Sequence, residues 1–151
     1  MACAFLLLRP TDEKRVLGAL KELCAAVSSL PGDVEGARRK RVAWALLRLT
    51  SDDVTLIAPE ISKVEGRAAI LELVDLAEGL KLEVEVEQAD IRAKTKRAEA
   101  TLLVSILVSV PSEERRQRRT VNAELVRDED SFRIKRLVFS GISREQPEAR
   151  P

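Results

Sequence analysis

The sequence predicts an α+β domain in which three N-terminal helices pack on a strongly curved, mainly antiparallel sheet, a cone-shaped half-barrel. Three observations carry this reading. Apolar residues recur at helical spacing in three segments before Gly79, and they alternate at a period of two in the segments after it. The chain has 151 residues, the size of one ordinary core rather than two. Helices gathered before a meander of strands give a layered α+β arrangement, and strands longer than ten residues must twist and curl.

The elements follow in order. Thr11, Asp12 and Glu13 make a helix start, with a hydroxyl cap and two acids at the positive end of the dipole. Val16, Leu20, Leu23 and Val27 then recur on one stripe, which predicts a helix over 12–29 that Pro31-Gly32 breaks. Val42, Ala45, Leu46 and Leu49 predict a second helix over 34–50, with Trp44 close to its stripe. Asp52 and Asp53 read as a turn, followed by short strands at 54–58 and 61–64. Gly66 opens a third helix over 67–78, and Gly79 stops it.

From Leu80 the period is two. Leu82, Val84 and Val86 alternate with acids, which predicts a strand over 80–87 with one wet face. Residues 98–110 predict the longest strand, with Leu102, Val104 and Ile106 on one side and Leu103, Ser105 and Leu107 on the other. Residues 94–97 read as the hairpin between these strands, and 111–119 as a charged loop. Segments 120–126 and 132–139 complete the meander, so the domain occupies 11–142 and a polar tail 143–151 is left with nothing to bury.

Composition excludes more than it assigns. Histidine and tyrosine are absent, so no imidazole triad and no His-built metal site is possible. Cys3 and Cys24 are too few for a thiolate cage and read as small hydrophobes; no metal, cofactor or disulfide is expected. The 26 basic and 25 acidic side chains nearly cancel, and four aromatic residues offer few stacking platforms, so no nucleic acid partner is expected. The basic runs Arg38–Arg41 and Arg115, Arg116, Arg118, Arg119 read as solvated faces. Residues 1–10 form an apolar segment too short to span a bilayer, which needs about 20 residues. Either it packs on the domain or it is the end of a longer anchor preceding Met1, which would place the domain at the envelope rather than in the cytoplasm.

Two motifs carry a resemblance. Val64-Glu65-Gly66-Arg67-Ala68-Ala69-Ile70 resembles the strand-to-helix junction of the nuclear transport factor 2-like superfamily, also called cystatin-like or SnoaL-like. Asp130-Ser131-Phe132-Arg133-Ile134 with Leu137 and Val138 is similar to its last strand, with Phe132 where Trp is common. The likeness covers residues 12–140 and implies the cone-shaped fold; because that superfamily includes isomerases, dehydratases, cyclases, transport factors and domains with no known activity, it implies no single reaction.

The resemblance places Asp53, Glu60, Arg67 and Trp44 toward the mouth of the cone as ligand-binding candidates, with Arg67 suited to an anionic group. The strand faces that should point inward carry no carboxylate, so no catalytic residue is assigned. Leu103, Ser105, Leu107 and Val126 make a half-apolar outer patch that reads as a homodimer face. The expected function is a non-enzymatic domain that dimerises through its sheet and binds a partner protein or a small apolar ligand. A lyase or isomerase acting on a small hydrophobic substrate through Asp53 or Glu60 is the enzymatic alternative, and an envelope-anchored soluble domain is the third reading.

Overall fold

The computed structural model describes residues 11–129 and 131–141. The apolar segment 1–10, with Cys3, and the tail from 142 onward lie outside the described residues. Within them the order is α1 (Asp12–Val27), α2 (Ala37–Leu49), β1 (Thr50–Ala58), β2 (Ser62–Glu65), α3 (Arg67–Leu76), β3 (Lys81–Ala93), β4 (Arg97–Val110), β5 (Glu113–Asp128) and β6 (Ser131–Phe139). The strands form one open six-stranded sheet in the order β2-β1-β6-β5-β4-β3. It is antiparallel except where β1 runs parallel to β6, with Leu56 opposite Leu137. All three helices precede the long meander, as the hydrophobic periods predict.

Local chemistry sets the helix ends. The Thr11 hydroxyl accepts from the Lys14 N–H at 3.1 Å and caps α1. Gly66 precedes α3 at φ 91° and ψ 154°, a region open essentially to glycine alone, and its N–H donates to the Val54 carbonyl at 2.8 Å. That bond docks the start of α3 onto β1. Val16, Leu20, Val42, Leu46 and Ile70 then face Ala100, Leu102, Val121, Leu125 and Ile134 in a single core.

Bulges bend the sheet in three strands and alter two expected boundaries. In β3 the inward positions are even at Leu82, Val84 and Val86, then odd at Ala89, Ile91 and Ala93, because the register with β4 shifts between Val86 and Gln88. Alternation therefore breaks at Glu87, where the sequence suggests an end, and the strand runs six residues further. The same parity change occurs in β6, where Ile134 and Leu137 both reach the core across a shift between Glu124 and Leu125 of β5. In β1 a shift between Thr50 and Thr55 takes up Asp52 and Asp53, which are strand residues and not a turn.

The expected charged loop is strand as well. Residues 113–119 continue β5, pairing Val110 with Glu113 through Val104 with Arg119, so only Pro111 and Ser112 remain in the turn. Alternating apolar residues are missing there because both faces of this stretch carry long charged side chains whose stems cover apolar surface while their heads reach polar groups.

Candidate functional site

The concave face of the sheet and the three helices form the walls of a partly open cavity of about 240 Å³. Every element except β2 contributes to its wall: Leu20, Leu23, Cys24 and Val27 from α1, Val42 and Leu46 from α2, Ile70 and Val74 from α3, and inward residues of β1, β3, β4, β5 and β6. Ile106 and Val121, expected on the covered side, both line it, and Val121 is buried. Two lining side chains carry a heteroatom. The Thr50 hydroxyl donates to the Leu46 carbonyl and accepts from Arg67 Nε at 3.1 Å, so both its functions are engaged. The Cys24 thiol is pushed up to about 11 by burial, which keeps it neutral. Among the described residues no carboxylate, amine or guanidinium lines the cavity. Among the described residues no group of three or more acids and cysteines gathers as a metal site.

No protein-family model and no curated protein matches the sequence. Solved structures do match. A protein of unknown function with a cystatin-like fold from Caulobacter vibrioides has a TM-score of 0.68 over 90% of this chain and 92% of its own, at 10% identity. An NTF2-like protein of unknown function from Pseudomonas putida gives 0.63 over 85% of this chain and 84% of its own, at 14% identity. The chain has the NTF2-like, or cystatin-like, fold. A candidate dehydratase of the NTF2-like family from Streptomyces avermitilis gives 0.66 over 85% of this chain and 95% of its own, at 15% identity. Such identities establish the NTF2-like architecture and leave the chemistry to the site.

The NTF2-like cavity does not draw in the four residues that the resemblance sets at its mouth. Trp44 is 67% exposed on the solvent side of α2, because Val42, Ala45, Leu46 and Leu49 take the buried stripe. Asp53 is exposed and lies in a shallow polar depression with Lys63, Glu65 and Arg136 on the opposite side of the sheet. Glu60 sits in the β1–β2 turn, paired with Arg119 at 3.0 Å. Arg67 opens α3, where Nη2 donates to the Thr50 carbonyl at 2.6 Å and Nη1 meets Asp52 at 2.9 Å. The four do not converge, and none of them lines the cavity.

Residues of the expected dimer face also separate. Leu103 and Leu107 lie half-buried on the convex side, opposite Thr120 and Arg116. Ser105 between them is 1% exposed, covered by Arg116, whose Nη1 donates to its hydroxyl at 2.7 Å. Val126 lies at the far end of β5 beside Arg127 and Arg133. The basic run in α2 is not a freely solvated face: Arg38 is buried, Arg39 pairs with Asp75, and Arg41 pairs with Asp33. The Arg41 hydrogen bond, followed by one from the Leu30 N–H, holds the Asp33 carboxyl below the usual range. The sequence places Arg38 only within a solvated basic run, because an arginine inside such a run carries no mark of burial.

Proposed function

We propose that this domain binds a small, neutral, apolar ligand in its interior cavity without performing chemistry on it, and that it pairs with a second copy through the convex sheet face. The observation that carries the reading is the cavity wall: about 240 Å³ lined by aliphatic side chains and Phe139, with its hydroxyl engaged and its thiol neutral. A dry apolar void of about 150 Å³ accepts benzene, so this volume suits a molecule of about ten carbon atoms. It is smaller than the roughly 300 Å³ at which drug-sized pockets begin, which sets an upper bound on the ligand. An ionised ligand would meet no counter-charge inside, at a desolvation cost of several kcal/mol, so the ligand is neutral.

The lyase or isomerase alternative needs an acid at the cavity, and Asp53 and Glu60 lie elsewhere with their own polar partners. The partner-protein alternative draws on Leu103 and Leu107, which flank the Arg116-covered Ser105. Methyl-labelled protein titrated with naphthalene tests the ligand reading. Saturable shifts at Leu23, Val74 and Ile106 with one-to-one stoichiometry are expected. Shifts confined to surface methyls, or none that saturate, would overturn it.

A further inference from the structure

Seven large apolar side chains are exposed among the described residues, and five of them, Leu30, Val34, Leu76, Leu80 and Val110, gather at one end of the domain. Backbone and side-chain ties place them together. The Ser29 N–H donates to the Leu82 carbonyl at 2.7 Å, which sets Leu30 beside the start of β3. Lys81 pairs with Ser109, which sets Leu80 beside Val110. The Gly36 N–H donates to the Glu78 carboxylate at 3.1 Å, which brings the α1–α2 loop carrying Val34 against the turn that follows Leu76.

The cavity is displaced toward this same end. On α1 its wall begins only at Leu20; on β3 it takes Leu82 and Val84 and nothing further; on β4 it begins at Leu102 and reaches Ile106. The opposite end is filled, with Val16, Leu125 and Ile134 fully buried. Four of the five rim residues lie a few positions beyond a wall residue: Leu30 after Val27, Leu76 after Val74, Leu80 before Leu82, Val110 after Ile106. Exposed apolar groups clustered over an apolar void form a continuous path for an apolar solute.

One buried cation spans this rim. Arg38 is 5% exposed, and its guanidinium donates to the Ser29 hydroxyl at 3.2 Å and to the Ala77 carbonyl. The Ser29 hydroxyl accepts in turn from the Leu82 N–H at 3.0 Å. Arg38 therefore ties the end of α1, the end of α3 and the start of β3 to one another.

We infer that the ring of Leu30, Val34, Leu76, Leu80 and Val110 is the mouth through which a neutral apolar ligand reaches the cavity, and that Arg38 with Ser29 is the latch that sets how often it opens. This rests on the ligand-binding reading above. A group met only in transit changes association and dissociation by the same factor, because affinity depends on the end states alone.

Stopped-flow binding of naphthalene, followed by its own fluorescence, tests the inference in the wild type, in Leu76→Lys with Leu80→Lys, and in Ser29→Ala. The rim pair is exposed, so its replacement leaves the core intact; circular dichroism and thermal unfolding verify this for every variant. The lysine pair is expected to slow both rates about fivefold with Kd within twofold, and Ser29→Ala to speed both. Unchanged rates in both variants, with the wild type binding normally, would overturn the mouth and leave the ligand site standing. A wild type that binds no probe would overturn the ligand site and the mouth with it.

Discussion

Glu60 Oε1 lies 3.0 Å from Arg119 Nη2, and Arg119 also donates to the Ser140 carbonyl and stacks 5.5 Å from the centre of the Phe139 ring. A single guanidinium thus joins the β1–β2 turn to the end of β6, and the exposed acid serves as its counter-ion. The Arg119 hydrogen bond, followed by a backbone hydrogen bond at Glu60, holds the Glu60 carboxyl below its usual range. A depressed carboxyl contributes stability above its unfolded value and loses it as pH falls through its folded one. Glu60→Gln should therefore be less stable than the wild type at neutral pH, with the difference vanishing in acid below the ordinary carboxylate range. Denaturant midpoints taken from pH 7 downward check this; a difference independent of pH would contradict it.

Cys24 faces the cavity with its thiol pushed up to about 11 by burial. At pH 8 about one thiol in a thousand is then ionised, so iodoacetamide should label Cys24 far more slowly than a free cysteine. In a Cys3→Ser background, saturating naphthalene should slow labelling further. Mass spectrometry of the labelled peptide measures both rates.

The filled and hollow ends should respond differently to truncation. Leu125 is fully enclosed, so Leu125→Ala should destabilise by about 3 kcal/mol. Leu82 is half-buried and borders an existing void, so Leu82→Ala should cost about 1 kcal/mol. Equal losses in urea denaturation would mean that the two ends are packed alike.

Pairing through the convex face predicts a dimer in sedimentation velocity. Leu107 lies opposite Arg116 in the β4–β5 register, so Leu107→Arg adds a cation beside a cation at the centre of that face. The variant should sediment as a monomer with an unchanged circular dichroism spectrum. A wild type that is monomeric at high concentration would remove the pairing.

Much of this fold was legible because its period is. Val16, Leu20, Leu23 and Val27 can share one face only on a helix, and the run from Ala98 to Val110 can split into two faces only on a strand. The reading fails where a bulge changes parity, as at Glu87, or where neither face of a strand is apolar, as in Arg115–Arg119. The site was less legible for a different reason. Leu82, Val104 and Ile106 are the same inward residues whether the space between them is filled or hollow, since residue type does not report how far the helices stand off the sheet. Asp53 and Glu60 had suitable chemistry for a cone mouth, but Asp53 lies on the convex side and Glu60 is held in a turn by Arg119.

Equilibrium titration of naphthalene fluorescence, comparing the wild type with Cys24→Phe, bears most directly on the cavity. Fluorescence of the wild type should rise to a single saturable site. In the variant the phenyl ring occupies the void, so affinity should fall at least about tenfold while Tm is maintained or raised. A wild type with no saturable site, or a filled variant that binds as the wild type does, would contradict the account.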